Sequence, residues 1–165
     1  KFKKISNPLQ ETKDVFKQIN KFEEKELKEF SIFYLIINNL DIFRKNIELI
    51  SAVNFLKTNT SEFKQKIVEY LLSEKFFDRK KIQIEDFDAK FVDLINNINN
   101  YAPIKIISRK KKEEEIITLF NEIVTEINRI NLRAKIELLE DKVSMNLDEN
   151  LYSELLSLRN QLKGG

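Results

Sequence analysis

The chain contains no cysteine and no histidine in its 165 residues. Those absences remove disulfide scaffolds, thiolate or imidazole zinc sites, Cys/His and Ser/His nucleophilic pairs and imidazole general bases. Glycine is confined to Gly164 and Gly165, so no glycine-rich loop can bring backbone N–H groups against a phosphate. P-loop or Rossmann nucleotide binding is excluded on that ground. Proline occurs only at Pro8 and Pro103, too rarely for an all-β chain, which needs turn residues at short intervals. No apolar run approaches the ~20 residues that span a bilayer, and the chain reads as cytoplasmic. A formal net charge of +2 is spread over many charges of both signs and gives no strong field toward nucleic acid or an anionic membrane.

Charged residues make up 34% of the chain and apolar residues 42%, the balance expected of helices with one buried stripe and one solvated face. The expected fold is all-α: a small helical bundle followed by a long antiparallel C-terminal helical hairpin. Because the chain opens on Lys1, it is expected to be the tail of a longer protein. Residues 1–22 carry Pro8, scattered lysines and weak periodicity in Val15, Phe16 and Ile19, and read as a linker. The bundle is expected over residues 23–108. Leu27, Phe30, Phe33, Tyr34 and Ile37 recur at helical spacing until Asn38 and Asn39 end the run. Asp41 opens a second helix through Ile42, Phe43, Ile47, Leu49 and Ile50. Asn59, Thr60 or Ser61 caps a third, with Phe63, Ile67, Tyr70 and Leu71 on one face and Glu62 in its first turn. After a loop over residues 76–83, Glu85 opens a fourth through Phe87, Phe91, Leu94, Ile95 and Ile98. The stretch from Ile104 to Ile107 has no strand partner and reads as a connector.

The hairpin is expected over residues 109–165. Ile116, Phe120, Ile123, Ile127, Ile130 and Ala134 are spaced 4-3-4-3-4, a coiled-coil seam. A helix from Lys112 to Val143 would be about 48 Å long and must project from so small a bundle. After a break at residues 144–148, Asp148 caps a last helix in which Leu151, Leu155, Leu158 and Leu162 repeat the 4-3-4 spacing. Gly164 ends it. Two seams joined by a short turn predict an antiparallel pair, with Leu155 near Ala134 and Leu158 near Ile130. The shorter arm covers the long helix from Ile127 onward, leaving Ile116 to Val124 to pack on the bundle.

Acidic groups at Glu85, Asp86 and Asp88 and at Glu113, Glu114 and Glu115 sit at expected helix starts, where the dipole favours them. They carry no metal or catalytic reading, and no cofactor is expected. The basic runs Arg79 to Lys81 and Arg109 to Lys112 could touch phosphates, but without interleaved aromatics they form no stacking platform. Nucleic acid is at most a secondary partner. The last helix is different, because beside its seam runs a second stripe of Tyr152, Leu156 and Arg159. A two-helix hairpin has no third layer to cover it, and Tyr and Arg are enriched in binding hot spots. The partner-binding residues expected from the two stripes are Tyr152, Leu155, Leu156, Arg159 and Leu162.

Five stretches carry a family resemblance. Phe30 to Phe43 (FSIFYLIINNLDIF) resembles the opening of the C-terminal, helicase-binding region of bacterial DNA primases, and Ala52 to Leu56 resembles that family's short segment ending in an aromatic. Asn128 and Arg129, the run Leu132 to Glu140, and the run Leu147 to Leu162 are similar to the primase tail, especially the alphaproteobacterial type. The resemblance implies a non-catalytic module that docks on the N-terminal domains of the hexameric replicative helicase and brings the primase to the fork. The parent chain would be a nucleotidyltransferase. A different class fits the same composition, since abundant Lys, Asn, Ile and Phe are what an AT-rich genome produces: a helical structural or surface protein from such a bacterium, binding another protein partner.

Overall fold

The computed structural model describes residues 22–55, 57–109, 111–146 and 148–164. The expected short helix around Val15, Phe16 and Ile19 lies outside them. Among the described residues the chain is all-α, without strands, and no helix is long and apolar enough to cross a membrane.

Helix α1 (Glu24–Asn38) starts where the Glu23 N–H donates to Glu26 Oε2 at 3.1 Å, half of the reciprocal capping pattern. It ends where the side-chain amides of Asn38 and Asn39 turn back onto the carbonyls of Tyr34 and Leu35, at 2.9 and 2.8 Å. Phe30, Ile32, Phe33, Leu35, Ile36 and Ile37 are all buried. Neighbouring positions on a helix point in different directions, so α1 is enclosed on more than one side. It packs against α5 (Val92–Tyr101), α6 (Glu113–Met145) and the 3₁₀ turn Pro103–Lys105. Phe22, assigned to the linker by its sequence, packs on Phe30 and Tyr101 at ring distances of 5.1 and 5.2 Å and belongs to the bundle.

The second expected helix is two short ones, α2 (Leu40–Lys45) and α3 (Ile47–Ser51). Asn46 separates them: its backbone leaves the helical region at φ −125°, ψ 45°, and its side-chain amide donates to Ile42 O at 2.8 Å. Asparagine competes with the helix for backbone partners, and here it wins. Helix α4 (Thr58–Leu72) starts after Lys57, earlier than the expected cap at residues 59–61. Thr60 is buried and donates its hydroxyl to Lys57 O at 3.0 Å, and Glu62 lies beyond the first turn. At the other end of α4, the Arg44 guanidinium donates to Leu71 O at 3.3 Å, a carbonyl of the last turn, and to Phe76 O at 2.9 Å in the 3₁₀ turn that follows.

The fourth expected helix begins later than Glu85. Two 3₁₀ turns, Ile84–Asp86 and Ala89–Phe91, precede α5 and bring Phe87 and Phe91 to within 5.4 and 5.2 Å of the Phe63 ring. Asp86 closes its turn by accepting from Gln83 N–H, Tyr70 Oη and the Arg79 guanidinium. The stretch after Pro103 is a turn, as the missing strand partner implied.

Helix α6 has 33 residues, about 50 Å at 1.5 Å per residue. Glu113, Glu114 and Glu115 occupy its first turn, and Glu115 Oε2 accepts the Lys112 N–H at 2.9 Å. Ile116, Phe120, Ile123, Val124 and Ile127 join the bundle core, where Phe120 meets Phe43 at 5.0 Å. The stretch from Ile116 to Val124 thus packs on the bundle as expected, and the bundle core extends past residue 109 into α6. Beyond Ile127 the expected seam fails, since Ile130 is only half-buried and Ala134 is exposed. The stripe continues instead as Leu132, Ile136, Leu139 and Val143. These pack with Leu151, Leu155, Leu158 and Leu162 of α7 (Glu149–Gly164) in a second, separate core. The antiparallel hairpin is there, in a different register: Leu155 and Leu158 cluster with Ile136 and Leu139, not with Ala134 and Ile130.

The two cores predict two unfolding behaviours. Phe120→Ala should lower global stability by about 3–5 kcal/mol, the usual loss for a buried phenylalanine, read as a lower urea midpoint. Leu158→Asp places an unpaired charge in the hairpin core. It should expose α7 amides to hydrogen exchange while α1 and α4 keep their protection; equal loss in both would mean that the cores are coupled.

Candidate functional site: the projecting hairpin

Helix α7 is set by its cap and its seam. Asp148 Oδ1 accepts the Asn150 N–H at 2.8 Å, the N-cap expected of it. With Leu155 and Leu158 facing α6, charged residues flank the seam. Lys135 pairs with Glu154 at 2.8 Å, and Arg159 pairs with Glu140 at 2.6 Å. Both pairs are exposed enough to act mainly in fixing which way α7 lies on α6.

The structure divides the five predicted partner residues. Leu155 is buried and Leu162 is half-buried in the hairpin core, so the seam uses both, and Leu155 offers nothing to a partner unless the hairpin opens. Tyr152 and Leu156 remain 51% and 42% exposed. Together with Asp148, Glu149 and Ser153 they line a shallow depression of about 460 Å³ on the outside of α7. Arg159 lies beside them, held by Glu140. The surface is an apolar strip one helix wide with an arginine at its edge.

Sequence reasoning overlooked Leu138 and Met145, which are 63% and 87% exposed. They lie two turns apart on α6, away from its seam, and are recognisable only once the phase of that seam is known. It also overlooked an aromatic beside the first basic run. Phe77 is 66% exposed, with the Arg44 guanidinium 5.3 Å from its ring, and it directly precedes Asp78 and the run Arg79 to Lys81. The signal is a neighbour in the chain, inside the stretch 76–83 that reads as a loop.

A third feature lies in the bundle. Glu29 is 1% exposed, and neither carboxylate oxygen has a hydrogen-bond partner. Burial raises its carboxyl above the usual carboxylate range, against the opposing pull of Lys25, the Thr60 hydroxyl and Lys57. That hydroxyl already donates its only proton to Lys57 O. Glu26 behaves oppositely, its carboxyl held below the usual range chiefly by the hydrogen bond from Lys57. Glu29 was legible in part, since it shares a helical face with Ile32, Phe33 and Ile36 at spacings of 3, 4 and 7.

No cluster among the described residues could hold a metal ion. The acidic groups singled out in the sequence serve helix starts and the Asp86 turn. No known protein family matches this chain, nor does any curated protein or solved structure.

The buried carboxylate sets a pH signature. A carboxyl whose folded pKa is raised binds more protons folded than unfolded, so its stabilising effect is present below the unfolded value and is lost as pH rises through the folded one. Glu29→Gln should therefore raise the melting temperature at pH 7 and leave it nearly unchanged at pH 4, by calorimetry at both pH values. A lower melting temperature at pH 7 would mean that the charge is compensated.

Proposed function

We propose that this chain is a non-catalytic docking module, the C-terminal region of a DNA primase, and that its hairpin binds the N-terminal domains of the hexameric replicative helicase. One observation carries the reading: a hairpin with its own core presents Tyr152 and Leu156 to solvent, although a helix with a complete seam has no internal use for them. The sequence resemblance supplies the partner. An apolar strip with an aromatic anchor and an arginine at its rim has the composition of an interface centre. In this reading the bundle is the base that fixes α6, and α6 carries the strip away from it. Docking requires no metal, nucleotide or acid–base group from this chain, and primer synthesis belongs to the rest of the parent protein.

Alanine at Tyr152 or Leu156 should weaken binding to the cognate helicase by about 2 kcal/mol, roughly thirtyfold in Kd. Both variants should keep their helicity, because neither position lies in the seam. Arg159→Ala should cost less, since Glu140 competes for the guanidinium in the free protein. Truncation after Asn146 should abolish co-elution with the helicase. Undiminished binding by the truncated chain would move the docking site elsewhere, and an intact chain that does not bind at all would leave the strip to a different protein partner.

A further inference from the structure

Glu29 lines a cleft of about 300 Å³ between the first half of α1, the start of α4 and α5. Phe22, Phe30 and Leu94 form an apolar wall, while Thr60 and Asn97 add polar edges. Two cations also line the cleft, but each is already engaged: Lys57 with Glu26 at 2.5 Å and Lys90 with Glu62 at 2.6 Å. Asp93 adds a further negative charge at the exposed side. The cleft thus holds a carboxylate stripped of water and left without a donor, next to surface suited to an alkyl chain. Leaving a buried carboxylate charged and unpaired is costly; a proton relieves that cost, and so does a cation that reaches the group.

We propose that this cleft is a binding site for an alkyl cation, a guanidinium or ammonium head seated on Glu29 with its aliphatic stem along Phe22, Phe30 and Leu94. The donor set decides the chemistry. Of the three carboxylates that line the cleft, Glu26 is taken by Lys57 and Asp93 lies at the exposed side, and among the described residues no group of acidic side chains could hold a metal ion, which in the case of calcium or magnesium takes six or more oxygens. A guanidinium meets a carboxylate through two parallel N–H···O bonds, and either cation gains from the neighbouring aromatic faces. The ligand could be an arginine or lysine side chain of a partner, or a free polyamine. Each brings a cationic nitrogen head on an aliphatic stem to Glu29. The site is on the bundle and is independent of the hairpin strip, so it stands or falls apart from the helicase reading.

The test is a titration of the full chain, followed by amide NMR shifts and calorimetry, with three probes: the capped peptide Ac-Gly-Arg-Gly-amide, its citrulline counterpart, and spermidine. The arginine peptide or spermidine should give saturable shifts at Glu29, Thr60 and Asn97, and the neutral citrulline peptide should give none. Glu29→Gln should weaken cation binding at least tenfold, and Phe22→Ala severalfold by removing part of the wall while leaving the carboxylate in place. Binding should also release protons, measured in two buffers of different ionisation enthalpy, because the cation draws Glu29 into its charged form. Tighter binding of spermidine would identify a free polyamine as the ligand, and tighter binding of the peptide a protein partner. The absence of saturation with every cationic probe, equal binding of the citrulline peptide, or undiminished binding by Glu29→Gln would overturn the site.

Discussion

One long helix has to bury two stripes that face nearly opposite ways, and most of the architecture depends on that. On α6 the bundle stripe ends at Ile127 and the hairpin stripe has its first buried residue at Ile136. The interval is about two and a half turns at roughly 3.6 residues per turn, so the second stripe begins about half a turn out of phase with the first. The bundle and α7 consequently take different sides of α6. Had the phase been kept, α7 would have run into the bundle's own side of α6, and a compact fold-back would have been the natural packing. The phase break is what keeps Tyr152 and Leu156 in water.

The same break explains why the two cores differ in character. The bundle core draws on α1, α4, α5 and the first half of α6, and its largest buried side chains are phenylalanines in mutual contact, such as Phe33 with Phe63 at 5.1 Å. The hairpin core is four buried aliphatic residues with Leu132, Val143, Leu151 and Leu162 around them. Its orientation is helped by the Lys135–Glu154 and Arg159–Glu140 pairs. Small cores built from local contacts open more readily than enclosed ones. An extended arm of that kind suits a surface that must meet a partner away from the base.

Glu29 is the one position in α1 where burial and chemistry disagree. Ser31 beside it is also buried, but its hydroxyl donates to Leu27 O at 2.9 Å, and a satisfied hydroxyl costs little. Glu29 has no such outlet. A protein selected only for stability would place an apolar residue or glutamine there, because local consistency usually fails where something other than folding is served. That conflict separates the cleft from the acidic groups at Glu85 to Asp88 and Glu113 to Glu115, which the helix starts and the Asp86 turn account for.

Periodicity by itself determined that the chain is helical, where α1 and α6 run, that two apolar seams form a hairpin, and that Asp148 caps its second arm. Those properties are local: each depends on spacing along one helix or on a side chain reaching its own backbone. It could not determine where Asn46 would split a helix, where Phe87 and Phe91 would give up α-helix for 3₁₀ turns, or which of two stripes α6 would turn toward α7. Ile130 and Ala134 continue a strict seven-residue repeat, which drifts by about 20° per repeat on a straight helix. Leu132, Ile136, Leu139 and Val143 offer an equally regular stripe, so spacing alone could not choose between them. Tertiary packing chose, because Leu155 and Leu158 fill the space over large side chains at Ile136 and Leu139 where Ala134 would have left a void.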